Sequence, residues 1–147
     1  MNAISVEDPH MLSRPIPVPD VDSAPFWEHC RAHRLTVQQC LSCGKRRFPP
    51  VGICHACHSW EHDWVEVGDG TVYSWVVVRH SPIESLHREL PYVVAVIDLG
   101  DGVRMPTQLV GVEPDDVEAG MAVSVVWQEI EGGTTLPFFT PKAVAAD

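Results

Sequence analysis

Four cysteines in two pairs, Cys40-Leu41-Ser42-Cys43 and Cys54-His55-Ala56-Cys57, constrain this chain more than any other feature. Together they read C-x2-C-x10-C-x2-C. A two-residue gap lets one tight turn aim two thiolates at a single ion. Two such turns facing each other across a hairpin complete a tetrahedron with Zn–S distances of about 2.3 Å. Gly44, directly after the first pair, suits a positive φ that frees backbone amides to point at sulfur. His58 takes that place after the second pair, so the second turn is expected to carry strain or to open differently. The intervening segment is long enough for two short strands, expected at Arg46–Pro49 and Val51–Cys54. One structural zinc ion held by Cys40, Cys43, Cys54 and Cys57 is therefore the expectation.

Other metal chemistry accounts for less of the pattern. Cys54 to His58 matches the C-x-x-C-H haem attachment sequence, but that reading leaves Cys40 and Cys43 idle and requires export. A four-thiolate site also accepts iron. Catalytic zinc is disfavoured, because four sulfurs leave no open coordination position. Cys30 reads as a half-buried helical thiol, and His55, His58 and His62 as neighbours of the metal rather than ligands.

The chain has 147 residues, 45% of them hydrophobic, enough for one ordinary domain or two very small ones with a packed core. No stretch approaches the roughly 18 to 20 apolar residues of a membrane span. Met1 to Asp20 lacks an apolar segment and carries Glu7 and Asp8, unlike a secretory signal. A cytoplasmic, reducing setting is expected, where cysteines serve as metal ligands more often than in disulfides. The net charge of −10 is unevenly spread. From His29 to Trp60 there is no Asp or Glu, while Arg31, Arg34, Lys45, Arg46 and Arg47 fall there. From Glu61 onward, 15 acids stand against Arg79, Arg88, Arg104 and Lys142, a balance of −11. The basic island offsets the thiolates, or forms an anion site; the two readings are compatible.

Residues 1–24 read as a Pro-rich tail, with Pro9, Pro15, Pro17 and Pro19 blocking regular structure. Asp22 and Ser23 offer caps and Pro25 a first helical position for a short helix through Arg34. Phe26, Trp27 and Cys30 would share one face of it, buried against the same domain or docked on a partner. Residues 25–62 thus form a helix and zinc ribbon. After Trp60 the pattern turns to period two and to short apolar runs bounded by Gly, Asp and Pro. Strands are expected at Thr71–Arg79, Tyr92–Leu99, Val103–Val110, Ala122–Ile130 and Thr134–Phe139. Gly100-Asp101-Gly102 and Glu131-Gly132-Gly133 mark hairpin turns, and Glu113–Gly120 has room for one helical turn. Five strands with that connector predict a mainly β fold with an OB barrel over residues 63–141, an SH3-like barrel being the other candidate. Residues 142–147 form a C-terminal tail. The long connection His80–Pro91 suggests a functional or mobile loop. Its His80 and His87 have no recognisable nucleophile or acid partner, and no triad, phosphate loop or carboxylate pair stands out.

With these elements in this order, the chain resembles the OB-fold acyl-CoA-associated proteins that carry an N-terminal rubredoxin-like zinc ribbon, a domain-of-unknown-function family. The segments that carry the resemblance are Phe26-Trp27-Glu28, Leu35 through Cys43-Gly44, Arg47-Phe48-Pro49-Pro50 leading to Cys54 and Cys57, Gly70-Thr71-Val72-Tyr73-Ser74, Pro91-Tyr92-Val93-Val94-Ala95, Leu109-Val110-Gly111 and Leu136-Pro137-Phe138-Phe139. His58 departs from the family pattern. The resemblance implies a non-catalytic accessory subunit that helps hold a coenzyme A thioester for a thiolase-like enzyme (aldolase, thiolase or acyltransferase), or that partners a MaoC-like enoyl-CoA hydratase. Steroid or fatty-acid side-chain degradation is the common setting.

Given that role, Lys45, Arg46 and Arg47 are candidates for coenzyme A phosphates, with Arg79 and Arg88 at the long loop. Phe48, Trp60 and Trp75 would supply flat apolar surface if they are not core, and Phe26 and Trp27 are the candidate partner interface. Single-stranded nucleic acid is the competing ligand, since ribbons and OB-folds both bind it. The −11 balance of the barrel half argues against that.

Overall fold

The computed structural model describes residues 14–142. A helix, α1 (Ala24–Arg31), leads into a three-stranded antiparallel sheet of β1 (Thr36–Cys40), β2 (Arg46–Arg47) and β3 (His62–Glu66), in the order β2-β1-β3. The barrel follows: β4 (Gly70–Val78), β5 (Tyr92–Asp98), β6 (Arg104–Leu109), β7 (Ala122–Glu129) and β8 (Thr135–Pro141), closed in the order β4-β5-β6-β8-β7. That order, with β6 and β8 parallel and the other pairs antiparallel, is the five-stranded OB barrel expected from the sequence. The connector after β6 holds a 3-10 turn at Pro114–Asp116, and the long loop holds another at Glu84–Glu89.

Local chemistry explains the ends of α1. Asp20 and Ser23 bond each other's backbone amides through their side-chain oxygens, making a turn that delivers the chain to Pro25. At the other end His33 adopts φ 59°. Its amide bonds Cys30 and that of Arg34 bonds His29, the Schellman pattern usually built around glycine. The His33 ring stacks on Trp127 of β7 at 5.4 Å and so ties the helix end to the barrel.

One core runs through both parts. Phe26, Cys30 and Leu35 join Val72, Val93, Ala95, Ile97, Met105, Leu109 and Phe139 in a single buried cluster. β5 alternates strictly between half-buried and buried positions, although its sequence from Tyr92 to Ile97 is one apolar run. The ribbon's own strands differ from expectation. Val51–Cys54 carries no strand, and β2 pairs instead with β1, through Gln38↔Arg47 and Gln39↔Arg46. The cause is local: Pro49 and Pro50 offer no amide donors, and the Val51 amide donates to the Gln38 side chain. A third ribbon strand, β3, crosses the boundary expected at residue 62.

Candidate metal centre and adjoining cleft

The two cysteine turns are near copies of each other. Gly44 and His58 donate their amides to the Cys40 and Cys54 carbonyls, each at 2.9 Å. Cys40 and Cys54 donate theirs to Lys45 and Ser59, also at 2.9 Å. Gly44 sits at φ 77° and His58 at φ 63°, so the second turn keeps the geometry of the first and accepts the strain. Ser42 Oγ donates to Ser59 Oγ and fastens one turn to the other.

Between the turns the four Sγ atoms lie within 4.8 Å of one another. Cys40 and Cys57 are 3.5 Å apart, and Cys43 and Cys54 are 3.7 Å apart. A zinc–thiolate tetrahedron has sulfur–sulfur edges of about 3.8 Å, so the set fits zinc and is far too open for a disulfide. Backbone amides prepare it for a cation. Those of Cys43 and Ser42 hold the Cys40 thiol down at about 6, and those of Cys57 and Ala56 lower Cys54. The Ser59 amide pulls Cys57 down too, but the Cys40 sulfur, burial and the remaining two sulfurs outweigh it and leave Cys57 at about 11. Bound zinc would remove that conflict by neutralising the crowded thiolates, with Cys40, Cys43, Cys54 and Cys57 as its ligands. Cys30, outside the set, is fully buried and pushed up to about 12 by that burial, which leaves it inert.

The candidate cations separate into distinct roles. Arg47 is 5% exposed; its guanidinium donates to Gln38 Oε1 at 2.9 Å and to the Val51 carbonyl at 3.0 Å, bracing the ribbon. Arg46 pairs with Asp101 of the β5–β6 turn at 3.2 Å, while Lys45, Arg79 and Arg88 are exposed. Phe26 is 4% exposed and meets Phe48 with ring centroids 5.5 Å apart, so it is packed within the chain. Trp27 stays half-buried, and Trp60 is 72% exposed.

Phe26, Trp27 and Phe48 form one wall of a cleft of about 400 Å³. Its floor is barrel: Tyr92 and Val94 of β5, Pro106 of β6 and Phe138 of β8. Along the cleft β6 and β8 share one ladder pair, Leu109↔Phe139, and the Thr107 hydroxyl donates to the Pro137 carbonyl. It lies on the second and third barrel strands, the face on which OB barrels commonly bind ligands. One end is polar. Arg14 pairs with Glu89, donates to Gln108 Oε1 at 3.2 Å, and lies 5.1 Å from the Phe138 ring centre. Gln108 also donates to Glu89 at 3.3 Å. No local pattern marks this triad, since Arg14 falls among tail prolines and Glu89 and Gln108 are distant in the chain.

A zinc ribbon closely packed on an OB barrel defines a class of small two-part β proteins. Comparison with known proteins narrows it. Residues 27–63 match the model for the ChsH2 rubredoxin-like zinc ribbon domain, and residues 64–128 that for the ChsH2 C-terminal OB-fold domain. A DUF35 domain-containing scaffold protein of Methanocaldococcus jannaschii is 33% identical over 108 residues, covering 71% of this chain and 76% of that protein. The chain belongs to this family of ChsH2-type, DUF35 zinc-ribbon OB-fold proteins. A probable enoyl-CoA hydratase alpha subunit of Thermomonospora curvata is 42% identical over 129 residues, 87% of this chain. The chain spans only 40% of that relative's length. Among solved structures, a chain of an Ltp2-ChsH2(DUF35) aldolase superposes with a TM-score of 0.79 at 41% identity, covering 86% of this chain and 98% of that one.

Proposed function

We propose that this chain is a non-catalytic accessory subunit that pairs with a thiolase-like enzyme and helps hold its acyl-CoA. The observation that carries the reading is the likeness to nearly the whole of one chain of an aldolase complex. The side chains are consistent with a supporting role. Cys30 is inert, His80 is exposed, and His87 is occupied by the Ser81 carbonyl at 2.8 Å within its own loop. The apolar cleft offers the ligand a surface beside Phe48. Lys45 and Arg46 lie just before Phe48 in sequence, where coenzyme A phosphates would find cations. Arg79 and Arg88 are the alternative cations, and Arg47 belongs to the ribbon's own support.

Tagged protein captured from its source organism at moderate salt tests the reading, with co-purifying chains identified by mass spectrometry. Stoichiometric recovery of a thiolase-like chain is expected. Recovery of nucleic acid, or of the zinc-loaded monomer alone, overturns it. A second reading, partnership with a MaoC-like enoyl-CoA hydratase, is favoured by the hydratase subunit among the relatives. It predicts a hydratase in the same capture.

A further inference from the structure

The barrel is closed by very little. On one side β4 pairs with β5 along its length, from Thr71 to Val78. On the other it meets β7 at Gly70↔Val123 and Thr71↔Ala122, and Val72 adds backbone bonds, donating to Met121 and accepting from Gly120 just before that strand. Past the register shift between Val72 and Ser74, the backbone from Ser74 to Val78 has a strand on one side alone among the described residues. Trp75 and Val77 pack against the core yet remain half-buried, and so do Val125 and Trp127 of β7. Half-buried, core-facing side chains on β4 mean that the core reaches solvent along this edge, whereas Val125 and Trp127 lie beyond the other end of the β4–β7 ladder. Val76, on the outer face, is 61% exposed.

Natural sheet edges are guarded by Lys, Pro, bulges or inward charges, because a row of free backbone groups recruits other strands. Here a register shift lies at the start of the edge, and the rest is unguarded. Val72-Tyr73-Ser74-Trp75-Val76-Val77-Val78 has no charge, no proline and no glycine, and it is rich in the β-branched and aromatic residues that pair most readily.

We propose that the Ser74–Val78 edge of β4 is a strand-addition site that takes an extended, uncharged, β-branched or aromatic segment of the partner enzyme. The proposal rests on the accessory-subunit reading and names the surface and the kind of segment that reading leaves open. The free backbone row selects an extended strand over a helix, and the half-exposed Trp75 and Val77 supply pockets between alternate side chains. A second copy of this chain fits poorly. Five residues bury far less than the roughly 800 Å² per partner of a stable dimer. Two barrel halves at −11 each would also repel. An edge contact of this size works as one part of a larger interface.

The test uses the thiolase-like or hydratase chain recovered with the wild type, then purified and titrated against three variants. Val76→Lys and the double variant Ser74→Lys/Val76→Lys place charge on exposed positions of the edge, and Val76→Thr keeps it uncharged and β-branched. With zinc content and thermal midpoint unchanged, Val76→Lys should weaken binding at least tenfold, the double variant more, and Val76→Thr by less than threefold. Amide exchange at Ser74–Val78 should slow when wild-type complex forms. Wild-type affinity in Val76→Lys, or no slowing at these amides, overturns the proposal and leaves the accessory role standing. A free chain that dimerises until Val76→Lys dissociates it assigns the edge to a second copy and overturns the proposal as well. If the wild type captures no such chain, the accessory role itself fails and takes this proposal with it.

Discussion

His58 shows most directly what one position costs this chain. It holds φ 63° where Gly44 holds φ 77° in the matching turn, and a side chain in the left-handed region costs roughly 1–2 kcal/mol. Part of that returns as the greater unfolded-state freedom of glycine. His58→Gly should therefore stabilise the ribbon by up to about 1 kcal/mol, seen as slower zinc loss to a chelator. Gly44→Ala should do the reverse, since its Cβ meets no atom within 4 Å and only the backbone angle opposes it. Cys30 supplies a chemical contrast. With its thiol raised to about 12 by burial, it should resist alkylation at pH 8 in the zinc-loaded protein and react once denaturant is added. The four ligand cysteines and the strained turn at His58 were legible from spacing alone. The roles of Arg47 and Arg46 were not, because their partners, Gln38, Val51 and Asp101, are fixed by strand pairing and a neighbouring turn.

At the scale of elements, each part depends on a small number of contacts. The ribbon sheet is short, and both cysteine turns are fastened at its end, so removing zinc should melt β1–β3 while the barrel keeps its strands. Trp64 of β3, packed edge-on to His29 at 5.7 Å, reports that loss by fluorescence, and far-ultraviolet circular dichroism reports the barrel. Retention of the ribbon signal after complete metal removal would contradict a structural zinc. The barrel's closure hangs on Gly70. A Cβ there would come within 2.6 Å of the Asp98 carbonyl oxygen and of Ile97 Cγ2. Gly70→Ala should lower stability by about 1–3 kcal/mol in a denaturant titration, because the obstacle is backbone as well as side chain. All five barrel strands could be placed from period-two patterning and from short apolar runs bounded by Gly, Asp and Pro, which are local signals. The ribbon strands could not, because their register follows from side-chain bonds such as Val51 N–H to Gln38 and not from alternation.

For the whole molecule, the core joins ribbon and barrel through Phe26, Cys30 and Leu35, so the helix belongs to the folding unit as well as to the cleft. Phe26→Ala should cost about 3–5 kcal/mol of global stability and open the cleft wall, whereas Trp27→Ala, half-buried at the rim, should cost less. Neutralising Lys45 and Arg46 together in a folded, zinc-loaded protein should weaken acyl-CoA binding about tenfold by calorimetry, the order of one charge-assisted contact; unchanged affinity would remove them from the site. Sequence by itself determined the metal site, the five barrel strands and the acidic barrel beside a basic ribbon, since thiolate spacing, side-chain periodicity and charge are local properties of the chain. Only the tertiary structure decided that Arg47 is internal, that Arg14, Glu89 and Gln108 meet at one end of an apolar cleft, and that β4 keeps an open edge. Each of those depends on which distant segments pack together, and no local pattern of residues encodes that.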